Sequence, residues 1–254
     1  MNRLKNEMIH MGHQVIFTNL GAPKNMEEYP KLMMLQSCPF CWKVRSLLEH
    51  LKIDFQESQL NPLRRKKALK FAGDWGKVPI WRESEEDFVV DSTPIMIYLD
   101  KKYNDSKLSD SNSERQNTWL KWVDEKLSKA TIPILYGSIG SALSSTRTVS
   151  KLEKFGFFSR HLYAWTGFPI MWGIIAKTRV KKDGRKPKKL WHDLLDELIA
   201  EFDGKQFFGG DTPDIVDIAA FGIVRSISPF KQFKELESHE SGMSWYNAVK
   251  STLN

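Results

Sequence analysis

The apolar positions change period along the chain. Leu32-Met33-Met34-Leu35 is a short unbroken run, the pattern of a strand covered on both faces. It stops at Ser37, and from Cys38 to about Leu51 the spacing becomes helical, with Val44, Leu47, Leu48 and Leu51 on one face. Ile53-Asp54-Phe55-Gln56 alternates and predicts a second strand. Asn61-Pro62 marks a turn before a basic helical piece ending near Ala72-Gly73. The apolar stretches 78–81 and 88–90 flank an acidic, turn-like segment and predict a hairpin. Asp91-Ser92-Thr93-Pro94 then opens a helix to about Tyr103, with Ser92 or Thr93 as cap and proline in the first turn. The predicted order is βαβαββα.

Residues 104–113 are rich in Ser, Asp and Asn, as a linker would be, and the remainder reads helical. Helical spacing runs over 114–129 and 190–202, whereas 138–150 is weakly patterned and reads as a loop entering the next helix. The apolar 155–176 reads as a core helix kinked at Pro169. Asp214 and Asp217 form a capping pattern before a helix through Ile227. Trp119, Trp122, Trp165, Trp172 and Trp191 read as core, and His161 and His192 as satisfied or exposed side chains. The expected division is an N-terminal extension over 1–30, an α/β domain over 31–104, a linker over 105–113 and an all-helical domain over 114–254.

Composition fits a globular chain and excludes collagenous, disulfide-scaffold and wholly disordered classes. Of 254 residues, 41% are hydrophobic and 27% charged, with two cysteines. The best candidate for a span, 162–176, runs 15 residues without a charge, contains Gly167 and Pro169, and is too short to cross a bilayer. The first 30 residues balance three basic against three acidic side chains, and no signal or transit peptide is read there. The expected location is therefore cytoplasmic or peripheral on a membrane. The net charge of +7 is concentrated in 177–189, where eight of thirteen residues are basic, and in Arg64-Arg65-Lys66-Lys67. Such runs are usually solvated, with a membrane surface or another anionic partner as the alternative. No nucleic-acid partner is expected, because no recognition helix or stacking sheet accompanies the charge.

Cys38 and Cys41 stand at the predicted strand-to-helix junction. There the free N–H groups of the first helical turn favour a thiolate at Cys38, and Cys41 lies one turn in, within reach of a disulfide. Pro39 suits the first helical position because its missing N–H would have had no partner. The six histidines have no ligand spacing to this pair, so no metal site is expected. Val78-Pro79 opens a strand as a candidate cis peptide. Asp91-Ser92, thirteen residues further on, begins a helix whose N–H groups can hold a carboxylate.

Cys-Pro-Phe-Cys, Val78-Pro79-Ile80 and Asp91-Ser92, in this order and spacing, resemble a glutaredoxin-type thioredoxin fold with a glutathione site. The helical half resembles the glutathione transferase superfamily, whose late-helix capping box Asp214 to Asp217 matches. More narrowly, Ser37 to Arg45, Leu60 to Arg65, Lys77 to Ile80, Phe207 to Pro213, Asp217 to Arg225 and Ser244 to Tyr246 are similar to the prostaglandin E synthase 2-like family. That resemblance covers about 30–254 and is thin between Gly137 and Lys189.

It implies a thioredoxin-like α/β domain followed by an all-α transferase-type domain, with Cys38 as nucleophile and Cys41 as its partner. Glutathione would be held by Phe40, Val78, Pro79, Asp91 and Ser92. In that assignment the Val78 backbone takes the cysteinyl part, Asp91 the ammonium and Ser92 the carboxylate of the γ-glutamyl end. The implied reactions are isomerisation of a lipid endoperoxide and thiol–disulfide exchange on a mixed disulfide, and the superfamily adds a homodimer. Haem is a further family cofactor. The chain departs from the family at two positions: Leu35 stands where the family has a tyrosine three residues before the first cysteine, and alignment on Pro133 puts Lys129 where a haem-associated histidine stands. From another class, the fold is also compatible with a non-enzymatic module that docks a protein or membrane through 177–189.

Overall fold

The computed structural model of the chain describes residues 30–110, 112–154, 173, 178 and 183–253. The extension over 1–29, the apolar run 155–176 apart from Gly173, and Trp165, Trp172 and His161 lie outside the described residues. So does much of the basic stretch that follows.

Strand β1 (Lys31–Met34) is buried along its whole length, as its unbroken apolar run requires. Helix α1 (Pro39–His50) starts with Cys38 at the N-cap and Pro39 in its first turn. It ends in a left-handed turn: Lys52 has φ 53°, its N–H donates to the Glu49 carbonyl, and the Ile53 N–H donates to that of Leu48. This is a Schellman closure, and it displaces the second strand. Residues 53–55 leave the helix, and β2 is Gln56–Gln59, where the expectation was 53–56. A polar edge strand carries little apolar alternation, so the apolar residues just before it drew the assignment.

After the basic pieces (Pro62–Arg64, Arg65–Ala68 as α2, Lys70–Ala72) come β3 (Ile80–Arg82) and β4 (Phe88–Val90). The sheet order is β2-β1-β3-β4. β1 runs parallel to β2 and antiparallel to β3, and the β3–β4 hairpin is antiparallel, with Met33 opposite Ile80 and Ile80 opposite Val90. Helix α3 (Ser92–Asn104) is capped by Asp91, one residue before the two candidates, because Asp91 Oδ1 accepts the Ser92 N–H at 2.7 Å.

The helical remainder begins with a single long helix: α4 (Glu114–Trp122), a π-turn (Val123–Leu127) and α5 (Ser128–Tyr136). It runs beyond the expected end near 129. The expected loop over 138–150 is helix α6 (Ile139–Leu152). Ser138 caps it by accepting the Ser141 N–H, and its inner face is Ala142, Ser145, Thr146, Val149 and Ser150. Small polar residues form that face, so apolar periodicity did not reveal it. Helices α7 (Pro187–Ala200), α8 (Ile215–Arg225), α9 (Phe233–Glu237) and α10 (Glu240–Ser251) complete the described elements.

The expected capping box is present. Asp214 accepts the Val216 and Asp217 N–H groups, and Asp217 accepts that of Asp214. Buried Asp217 also takes the N–H groups of Phe208 and Gly209 and the Trp245 indole N–H. Trp119, Trp122 and Trp191 are core, and a His192 ring nitrogen contacts the Glu235 carbonyl at 2.8 Å.

Helix α8 packs directly on α1. A Cβ at Gly222 would stand 2.4 Å from Lys43 Cα, so only glycine permits this approach. The helix that carries the cysteines is therefore clamped between the sheet and the helical remainder. No helix among the described residues is long and apolar enough to cross a membrane.

Candidate active site

The β1-to-α1 turn presents Cys38 half-buried and Cys41 fully buried, both as free thiols. The Cys38 thiol is held below its ordinary range, chiefly by a hydrogen bond from the Cys41 thiol. The N–H groups of Cys41 and Phe40 act in the same direction, while burial and the Glu153 carboxylate oppose them. Cys41 is pushed well above its range by burial and by its bond to Cys38. The pair thus favours the thiolate at Cys38 over that at Cys41. Cys38 Sγ lies 4.0 Å from the carbonyl oxygen of Val78, and the Val78-Pro79 peptide is cis.

Asp91 and Ser92 begin α3. Asp91 has φ 70°, outside the conformations most side chains adopt. Ser92 is completely buried, and its hydroxyl has no partner among the described residues. A buried hydroxyl at a helix start calls for a polar ligand, and a carboxylate fits it. Of the residues assigned to glutathione, Val78 meets Cys38 directly and Phe40 lines the adjoining cavity. The start of α3 is tied to α1 through the next residue, Thr93, in an arrangement the sequence reading missed. Lys43, fully buried on α1, donates to Asp124 Oδ1 at 2.6 Å and to Thr93 Oγ1, while Thr93 donates to Asp124 Oδ2 at 2.7 Å. Burial draws the Lys43 ammonium down from its usual range against the attraction of Asp124 and Asp91. The signal was present: Lys43 stands beside Val44 on the apolar face of α1, one turn before Leu47. Its partner on the π-turn has no local signature.

A cavity of about 410 Å³ adjoins the cysteine turn. Ser37, Pro39 and Phe40 form one wall, and Ser128, Ile132 and Leu135 of α5 contribute to the other. Asp124 and Lys129 supply its charges. An apolar chamber with a few polar groups is the usual form of a small-molecule site. Haem finds no support in the described lining, which holds no histidine, cysteine or methionine.

Residues 32–107 match the family model of the glutathione S-transferase N-terminal domain. Solved glutathione S-transferases share the fold. One from Ceriporiopsis subvermispora, in complex with glutathione, superposes with a TM-score of 0.62 at 16% identity, covering 87% of this chain and 96% of that one. One from Rhodospirillum rubrum gives 0.61 at 19% identity, covering 88% of each. The chain therefore has the fold of the glutathione S-transferases, a thioredoxin-like N-terminal part followed by a mostly helical remainder. It is 24% identical over 265 residues to Prostaglandin E synthase 2 of Danio rerio, across 86% of this chain and 70% of that protein. Against the Mus musculus protein it is 23% identical over 271 residues, across 87% and 70%.

Proposed function

We propose that the protein is a glutathione-binding enzyme with Cys38 as nucleophile. The observation that carries this reading is the Cys38 thiol at the start of α1, lowered by Cys41 and facing the Val78 carbonyl beside the cis-proline. Val78, Pro79 and Phe40 would hold the cysteinyl part of glutathione. Ser92 would donate its unpartnered hydroxyl to the γ-glutamyl carboxylate, and Asp91 would face the ammonium. The thioredoxin-like domain over 31–104 and the helical domain over 114–254 would meet along this site.

Thiol–disulfide exchange is the chemistry that the Cys38–Cys41 pair supports best. The Cys38 thiolate attacks a mixed disulfide, one S–S bond forms as another breaks, and the departing thiolate takes up a proton. A second thiol, glutathione, then attacks the Cys38 adduct, forms a disulfide with it and frees Cys38, or Cys41 attacks it to give a Cys38–Cys41 disulfide that glutathione reduces. Similarity to Prostaglandin E synthase 2 supports a second use of the same thiolate, isomerisation of a lipid endoperoxide bound in the apolar cavity. Leu35 offers no hydroxyl to that reaction. Docking through the basic stretch has weaker support, because Arg185, Lys188 and Lys189 are engaged with Asp183, Glu235 and Asp193. A membrane contact and a homodimer stay outside this proposal.

The test is glutathione-dependent reduction of a simple mixed disulfide by wild type, Cys38→Ser and Cys41→Ser. Activity lost in Cys38→Ser and retained in Cys41→Ser is the expected result. Bound glutathione without turnover in the wild type would exclude exchange and leave the isomerase, to be assayed with the endoperoxide. If glutathione neither binds nor turns over, the enzyme reading is wrong.

A further inference from the structure

The turn that presents Cys38 is held from the far side of the molecule. Glu153, just past the end of α6 and 6% exposed, accepts the Ser37 N–H at 2.7 Å and the Ser37 hydroxyl at 2.5 Å. Its other oxygen takes the Gln59 amide at 3.3 Å, and the same amide donates to the Leu152 carbonyl at 3.0 Å. Among the described residues no cation pairs with it. A buried carboxylate lacking a counter-ion is costly unless hydrogen bonds compensate. Here two of the three compensating donors belong to the residue immediately before Cys38. Ser37 itself lines the cavity.

We propose that Glu153 is a positioning residue for Cys38, fixing the 35–38 turn from the helical remainder and so tuning how readily the thiol reacts. The proposal rests on Cys38 being the reactive group, as argued above. Two contributions act through one side chain. The hydrogen bonds set where the turn lies, which governs how the sulfur is presented. The negative charge opposes the thiolate, in the direction already noted for Cys38. The titratable groups acting on Cys38 from its surroundings are Cys41 on α1 and Glu153 at the end of α6; the sheet contributes the neutral Val78 carbonyl, and Asp124 and Lys129 charge the cavity wall. Seating of α6 against the sheet would therefore be sensed at the thiol.

The experiment follows alkylation of Cys38 by iodoacetamide across pH in the full chain, reading the modified peptide by mass spectrometry. Wild type is compared with Glu153→Gln and Glu153→Ala. Glutamine keeps an oxygen acceptor and removes the charge. Its alkylation midpoint should move to lower pH, with the rate below the wild-type midpoint rising about threefold, a shift of about half a pKa unit. Alanine removes the acceptor as well and should also change the plateau rate at high pH, where the thiolate is fully formed. If alanine prevents folding, the glutamine midpoint decides. Wild-type midpoint and plateau in the folded variants would overturn the proposal, since a merely structural carboxylate leaves both unmoved. Alkylation requires no glutathione. A shift in midpoint in a protein that neither binds nor turns over glutathione would sustain this proposal and sink the glutathione reading, and an unmoved midpoint alongside normal turnover would do the reverse.

Discussion

Cys41 never needs to leave the core to influence Cys38. Its thiol donates to the neighbouring sulfur, stabilising the thiolate and lowering the Cys38 pKa. Cys41→Ala removes that donor, so the Cys38 midpoint should rise and its alkylation at pH 7 slow by about tenfold per unit of rise. Ser92 makes a complementary prediction. Its buried hydroxyl lacks a partner, so Ser92→Ala should leave stability unchanged or raise it by up to about 1 kcal/mol while weakening glutathione binding. Urea unfolding and calorimetric titration check the two halves separately, and weaker binding with lost stability would contradict the assignment. Cys38, Cys41, Val78, Pro79, Asp91 and Ser92 could be read from the sequence because local chemistry announces each: a strand end, a proline, a helix start. Glu153 could not. It meets Ser37 across 116 positions of chain, and a lone glutamate at a helix end looks like any solvated one.

Among the elements, those with strong apolar periodicity emerged where expected, and those built on polar or small residues did not. Helix α6 buries Ala142, Ser145 and Thr146, a face with almost no hydropathic contrast, and β2 is polar throughout. Both errors share a physical origin, since burial of small or polar side chains is decided by the partner surface rather than by their own pattern. The α1–α8 contact carries the prediction at this level. A methyl group at position 222 would meet the α1 backbone at Lys43, which cannot move aside as a side-chain tip could. Gly222→Ala should therefore cost about 1–3 kcal/mol, measurable as a lower urea midpoint with unchanged slope. It should also slow reactions at Cys38, because α1 carries the thiol.

The molecule as a whole is joined at its middle by Lys43, Thr93 and Asp124, which tie the cysteine helix and the start of α3 to the long helix of the remainder. The ammonium is fully buried, while the Asp124 side chain is 28% exposed, so water offsets part of the loss when the pair is broken. Asp124→Ala should cost about 2 kcal/mol by urea unfolding. Adding Lys43→Met should recover at least half, because the uncompensated charge leaves with the lysine. Additive losses would refute the pairing as the cause.

The π-turn Val123–Leu127 within that long helix is one residue of extra winding. In the language of alignments it is a single-residue insertion hidden inside a continuous helix. Removing one residue there would return the helix to ordinary winding and leave its two halves facing as they do, because the turn absorbs the extra residue locally. A relative without the turn therefore aligns in two registers, one upstream of the insertion and another, shifted by one, downstream.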